Sequence, residues 1–460
     1  MCPGSSAEGF GGSVLSKYMD ELGGLPAGAR VAIALSGGAD SAALLAATVE
    51  WSQRFASVAL RALHIHHGFS GSDALAAAAA QVALVCHVPM DLIRVQLSDA
   101  PGLSVEAEAR RVRYEALGRA LVAGEVLLMA HHQEDQAETL LLQLLRGAGV
   151  TGLAAMPAVA ALGAGQLWRP LLAVPAQLLK AYASTQRLPY RLDPMNEDPR
   201  FDRSYLRQSV WPRLIARWPQ AARTLSRSAG HAAAAQRLLD EASVTRCGEA
   251  ERAGVLAISA LQALSSEARR ELIRYWLRVK GLGVPPTASL LAMERCVLAA
   301  RVDGTPWVRW PGVEVRRYAG GLYASAPLPE LPWVHGVALT AGRVDLGGLG
   351  ALEITLRTPA MGPLTLRRRQ GGERLCRVHG GPTRPLKDWL REAGIPPWTR
   401  TRAVLCYHEE QLLGVITPAA VWWAASAAAV LEETGLRIVW LNPPSVLFGV
   451  SSIETAIAFR

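Results

Sequence analysis

The chain has 460 residues, half of them hydrophobic and 19% charged, with a formal net charge of +9. That composition excludes a disordered chain and supplies apolar material for roughly two to four domains. The six cysteines, Cys2, Cys86, Cys247, Cys296, Cys376 and Cys406, include no C-x-x-C pair, which argues against a zinc ribbon, an iron–sulfur site or a disulfide framework and suits a reducing cytosol.

The basic excess favours an acidic partner, nucleic acid first. Only four of the 48 basic residues are lysines, so an arginine-favouring genome accounts for part of that excess. The N-terminus lacks a basic region followed by an apolar core, so no secretory signal is expected. Gly414 to Leu431 (GVITPAAVWWAASAAAVL) has the length of a membrane span. Pro418, the alanines and the paired tryptophans point instead to a buried strand and a packed turn. The expectation is a cytoplasmic protein, with monomer and homodimer both open.

In chain order, Val31–Leu35 reads as a strand buried on both faces and Ser41–Phe55 as a helix, with Ser-Gly-Gly between them. Val58–Ile65 predicts a strand, Ser72–Val85 a helix and Met90–Val95 a strand. Ser104–Ala123 predicts a long capped helix and Glu125–Met129 a strand running into AHHQEDQAETLLLQLLRG. This rhythm is that of an open, doubly wound, mostly parallel α/β sheet, Rossmann-like, with motifs at the C-terminal ends of its strands. Gly147–Gly165 reads as a loop, a helix follows to Arg187, and Pro189–Leu192 suggests a short strand. Ala221–Arg252 and Leu261–Val279 are helical in spacing, and from about Leu331 the pattern turns β-like. The expected domains are 1–220 (catalytic), 221–335 (helical, substrate-binding) and 345–460 (small α+β).

Two glycines between a buried strand and a helix N-terminus make an anion site, because unpaired N–H groups and the helix dipole converge there. No lysine follows SGGADS, so a Walker loop is disfavoured. Ser36, Gly37, Gly38, Ala39 and Ser41 can wrap a pyrophosphate with hydroxyl and N–H groups. Asp40 repels phosphate, so its expected task is to hold a Mg²⁺ or to orient the loop; an ordinary capped glycine turn is the plainer alternative. In HHQEDQAET, His131, Asp135 and Glu138 stand at helical spacing and suit substrate orientation and proton transfer, or mere capping. Arg110 and Arg113, with Glu106, form either a surface ion-pair stripe or arginines that reach a nucleotide. Arg367 to Arg402 holds ten basic residues against three acids, with Trp389 and Trp398 among them. That reads as an RNA-contacting surface or as a solvated face over core tryptophans.

SGGADS, LHIHHG, the E-x-x-A-R-x-x-R-Y string, HHQEDQAET, RGAGVTGLAAM, RPLL and DPMNEDPRFDRSYLR occur in one order. That order, with RRRQGGERL and LKDWLREAGIPPWTR further on, resembles the tRNA(Ile)-lysidine synthase family, a branch of the PP-loop ATP pyrophosphatases. The resemblance covers most of residues 30–215 and 360–415. It implies that ATP adenylates the C2 oxygen of the wobble cytidine of a tRNA(Ile) with a CAU anticodon and releases pyrophosphate. The amine of free L-lysine then attacks C2, and AMP leaves. It further implies a nucleotide site of Ser36 to Ser41, His66 and Arg110, with Mg²⁺ on Asp40. Catalytic roles fall to Asp40, His131, Asp135, Glu138, Arg203 and Arg207. Arg113, Asn196, Arg367, Arg368, Arg369, Arg374, Lys387, Trp389 and Arg400 would contact tRNA or lysine. The family usually has two adjacent Asp where this chain has Glu134-Asp135; Asp135 keeps the second position.

Rival readings are a cytidine thiolase-like PP-loop enzyme, which generally wants cysteine pairs, and a non-catalytic tRNA-binding protein with a vestigial loop. Intact Ser36, Asp40, Ser41 and Asp135 argue against the second.

Overall fold

The computed structural model describes residues 10–26, 28–53, 58–69, 71–97, 105–192, 201–252, 254–301, 304–332, 336–358 and 363–447. The chain divides into two compact units, Met1–Leu238 and Leu239–Arg460.

The first unit opens with α1 (Gly12–Glu21) and then alternates β1 (Arg30–Ala34), α2 (Ala39–Ser52), β2 (Ala59–His66), α3 (Ser72–Val85), β3 (Met90–Arg94), α4 (Val105–Ala120), β4 (Val126–Leu128) and α5 (Gln133–Leu145). After α6 (Val150–Leu153) come β5 (Val159–Leu162), β6 (Gly165–Trp168) and α7 (Ala176–Thr185). The strands form one sheet in the order β3-β2-β1-β4-β6-β5. All neighbours are parallel except the edge pair β5 and β6. Val31, Ala32 and Ile33 of β1 are fully buried, as a strand covered by helices on both faces requires. Strand order reverses between β1 and β4, and in such sheets the crevice beyond that switch point is where ligands sit.

Two expectations fail here. Gly147–Gly165 is no plain loop but holds α6 and β5; Val159–Leu162 is too short and too Ala-rich to announce a strand, and its pairing with β6 makes it one. Pro189–Leu192 is not a strand. Pro189 has no N–H to offer a ladder, and the Arg191 N–H instead donates to the Gly37 carbonyl at 2.9 Å.

Beyond residue 200 the chain runs through α8 (Asp202–Tyr205), a π-helical turn (Leu206–Val210), α9 (Trp211–Arg217) and α10 (Ala221–Ala250). The middle region is not purely helical as expected. Residues 251–325 hold a five-stranded sheet whose defined pairings are antiparallel, packed against the helix Ser266–Val279. That helix buries Leu272, Ile273, Trp276 and Leu277, one stripe at helical spacing, against Leu256, Val313, Val315 and Leu322. The rest of the second unit contains a five-stranded and a three-stranded sheet with the short helix Leu386–Glu392. The apolar stretch 414–431 contains the end of strand Gln411–Ile416, strand Val421–Trp423 and the start of helix Ala428–Thr434. Among the described residues no helix is long and apolar enough to cross a membrane.

Candidate active site

After β1 and Leu35 comes the loop Ser36-Gly37-Gly38, and α2 starts at Ala39. Gly37 has φ +89°, and a Cβ there would lie 2.4 Å from the Leu75 carbonyl oxygen of α3, so only glycine fits the turn. Gly38 is the extended N-cap residue of α2. The Ser36 N–H donates to Ser41 Oγ at 3.1 Å, the two hydroxyls lie 3.0 Å apart, and Ser41 Oγ donates to the Gly38 carbonyl at 3.0 Å. The loop is thus braced by its own hydroxyls. The first-turn N–H groups of α2 have no intrahelical acceptor by geometry, and they face the crevice with the positive end of the helix.

The neighbouring strand β4 runs out through Met129-Ala130 to His131-His132, which lead into α5. The His132 N–H donates to Asp135 Oδ2 at 3.1 Å. Its ring Nδ1 lies 3.0 Å from Glu134 Oε2, and its Nε2 lies 3.4 Å from Asp135 Oδ2 and 3.8 Å from Asp40 Oδ2. His132 therefore ties the glycine loop to α5. Burial works against its charge, but Glu134, Asp135 and Asp40 outweigh that and hold its pKa above the usual value. Burial raises the Asp40 carboxyl, with His132 opposing it and Asp135 adding to it. Asp40 Oδ1 is buried with no hydrogen-bond partner among the described residues.

Arg207 spans two of the three acids of α5, Asp135 and Glu138. Its Nε donates to Glu138 Oε1 and its Nη2 to Asp135 Oδ1, both at 2.7 Å. Arg203 donates from Nη2 to Thr139 Oγ1 at 2.7 Å and approaches Glu138 Oε2 at 3.5 Å. Burial pushes Asp135 up, but His132, His131, Arg207 and Arg203 hold it below the ordinary carboxylate value. Burial wins at Glu138, which is raised despite Arg207.

His131 interacts with Asp135 but is held from its other side by a second set of residues. Its Nδ1 accepts from Arg169 Nε at 3.2 Å. Arg169 also donates to the Pro157 carbonyl at 2.7 Å and to Tyr114 Oη at 3.2 Å, and the Arg110 guanidinium stacks 5.1 Å from the Tyr114 ring centroid. Arg111 turns away to Glu108 and Glu115, whereas Arg110, Arg113 and Tyr114 lie on the side of His131, and Arg110 and Arg113 both act on its ring. His66 is paired with Asp73 at 3.0 Å. Asn196 lies outside the described residues, and nothing is described of the Glu106 side chain.

In the second unit the arginines expected to touch RNA are largely committed nearby. Arg367 forms a two-pronged pair with Glu410, at 2.9 and 3.0 Å. Arg368 pairs with Glu330, Arg369 with Glu373, and Arg374 donates to the Thr383 carbonyl. Arg400 donates to the Ile395 carbonyl and to Tyr318 Oη. Trp389 donates to the Leu375 carbonyl, with Arg377 and Arg384 stacked on its ring at 5.2 and 4.7 Å. Trp398 is buried and bonded to the Val446 carbonyl. Lys387 is exposed.

Sequence reasoning missed three contributors. His132 stands beside the motif histidine His131, and its three-residue spacing to Asp135 is the signal that marks it. Arg169 sat unremarked in RPLL. Lys180 of α7, close enough to lower the Asp40 pKa, carried no motif.

A glycine loop braced by serines at the switch point of a parallel sheet, with an aspartate beside it, defines a PP-loop nucleotide-binding domain, and residues 14–214 match the family described as PP-loop domain. Residues 256–323 match the TilS substrate binding domain and 364–440 the TilS substrate C-terminal domain. The chain is 36% identical over 431 residues to a tRNA(Ile)-lysidine synthase of Methylococcus capsulatus, covering 91% of this chain and 97% of that protein. It is 38% identical over 442 residues to that of Ralstonia nicotianae (91% and 93%) and 39% identical over 398 to that of Coxiella burnetii (84% and 88%). The chain belongs to the tRNA(Ile)-lysidine synthase family and is an ATP-dependent ligase.

Proposed function

We propose that the protein joins free L-lysine to C2 of the wobble cytidine, position 34, of a tRNA(Ile) with a CAU anticodon. ATP is consumed, AMP and pyrophosphate are released, and an adenylated cytidine is the intermediate. The reading rests on one observation above the family match: the braced Ser36–Ser41 loop and the Asp135–Glu138–Arg207 cluster meet at one switch point, joined through His132. Leaving-group charge on the pyrophosphate would be met by the loop N–H groups, the Ser36 and Ser41 hydroxyls and the dipole of α2, with Arg110 and His66 at the rim. Asp135 and His131 would orient the splayed-out base. An unpaired anticodon loop makes that extrusion cheap. Glu138, with its raised pKa, suits a proton acceptor for the attacking amine, because such a group works best when its pKa approaches ambient pH. Arg203 and Arg207 would neutralise charge on the activated base and on phosphate.

The orphaned, buried Oδ1 of Asp40 fits a Mg²⁺ ligand. When bound there, the ion would screen the phosphates and favour pyrophosphate departure. The exposed Lys387, with Arg367, Arg368, Arg369, Arg374 and Arg400 after exchange of their local partners, would grip tRNA phosphates. In place of stacking on a base, Trp389 would brace Arg377 and Arg384.

The reading is tested by incubating the protein with labelled lysine, ATP and unmodified tRNA(Ile) with a CAU anticodon, and with methionine tRNA as control. Label in the isoleucine tRNA alone supports it. Label in neither, or in both equally, rejects it.

A further inference from the structure

Arg169 is charged yet only 5% exposed, and each of its three bonds goes to an acceptor. Arginine carries donors only and keeps its proton in proteins. The hydrogen shared with His131 therefore belongs to Arg169 Nε, and His131 Nδ1 must offer a lone pair across the 3.2 Å contact. A neutral imidazole has one N–H, so it stands on Nε2. An imidazolium would set Nδ1–H against Nε–H. Among the described residues no partner accepts from His131 Nε2, and the Asp135 carboxylate acts on the same ring. Burial, with Arg169, Arg110 and Arg113, lowers the His131 pKa to about 3 against the opposing pull of Asp135.

We propose that Arg169 is a positioning residue that locks His131 as the Nε2–H tautomer, and that this fixed donor, beside the Asp135 acceptor, selects cytosine over uracil. The ligand is named from the ligation reading of the previous section; the tautomer lock does not depend on it. Cytosine presents a ring-nitrogen acceptor next to an exocyclic amino donor, the complement of one N–H and one carboxylate. Uracil presents a ring N–H and a carbonyl in those places, so both contacts would be mismatched, and a buried polar group left unpaired discriminates strongly. The opposite tautomer would reverse half of that preference, which gives the Arg169 bond a consequence beyond packing.

The test has two arms on the full-length protein. In the first, long-range ¹H–¹⁵N spectra of histidine-labelled protein are recorded from about pH 5.5 to 8.5, where an ordinary histidine titrates, with His131→Gln assigning the signal. The expected result is the Nε2–H pattern, unchanged over the range. A hydrogen on Nδ1, or a titrating ring, overturns the lock. In the second, AMP formation is compared on anticodon stem-loop RNAs bearing C or U at the wobble position. Arg169→Met should reduce the C-over-U ratio at least ~10-fold while the KM for ATP stays within about 2-fold. Should Arg169→Met fail to fold, Arg169→Lys serves, since one ammonium cannot replace the three-way fork. An unchanged ratio in a folded variant overturns the specificity claim. No AMP with either RNA from the wild type overturns the ligation reading and with it the choice of base, and the spectra then judge the lock alone.

Discussion

Arg207 Nη2 lies 2.7 Å from Asp135 Oδ1 across a separation of 72 residues. The bond pins the π-helical turn Leu206–Val210 to α5, and the second prong of the guanidinium closes on Glu138. A lysine reaches only one of these acids at a time. Arg207→Lys is expected to fold with a loss of about 1 kcal/mol, measured by urea denaturation, while lysine incorporation falls ~10²-fold. Loss of stability with full activity would show that the pair is structural.

Gly37 and Gly38 separate folding from binding. Gly37→Ala places a methyl 2.4 Å from the Leu75 carbonyl on a backbone with φ +89°, and the expected cost is about 2–3 kcal/mol. A Cβ on Gly38 meets nothing closer than 3.5 Å. Gly38→Ala should therefore melt near the wild type while its KM for ATP rises, because the methyl intrudes where the phosphate approaches the backbone. Thermal melts beside ATP titrations distinguish the two.

The His132 cluster has a defined pH signature. Its folded pKa is raised, so its contribution to stability is complete below about pH 6.5, the unfolded value, and is shed as pH rises through the folded value. Asp135 is depressed, so its contribution is present above about pH 4 and is lost as pH falls through its folded value. His132→Asn should consequently destabilise the protein more at pH 6 than at pH 9, by urea midpoints at each pH. An equal loss at both would remove the charge from the explanation.

In the second unit, Lys387→Ala is expected to weaken tRNA binding a few-fold and to reduce the salt dependence by about one phosphate contact. Trp389→Ala should instead lower the melting temperature, since the ring braces two guanidinium groups and bonds to the Leu375 carbonyl. Filter binding at several salt concentrations, with parallel melts, separates a contact from a brace.

The parallel sheet was legible because buried strands and Ala-rich helices alternate with short connections, and SGGADS marks the switch point by its change of period. The antiparallel strands of 251–325 were hidden beneath strong helical spacing in Leu261–Val279; their local signals are the Pro311-Gly312 turn between Trp307–Trp310 and Val313–Tyr318 and the Ala319-Gly320 turn before Gly321–Ser325. Asp135, Glu138, Arg203 and Arg207 stood out as motif residues, but the bridge between them crosses some 70 residues and only folding reveals it. Which of the two adjacent histidines turns toward Asp40 is not legible in HHQED, because neighbouring residues leaving a strand point to opposite sides; His132 takes that side and His131 faces Arg169. The arginines after Arg367 read as free charge because their partners, Glu330 and Glu410, lie about 40 residues away in sequence.

The most direct measurement of the central claim follows the fate of ATP labelled at the α phosphorus alongside labelled lysine on CAU tRNA(Ile). One AMP for each lysine incorporated is the expected result. Release of ADP and orthophosphate, or AMP formed with no lysine on the RNA, would contradict it.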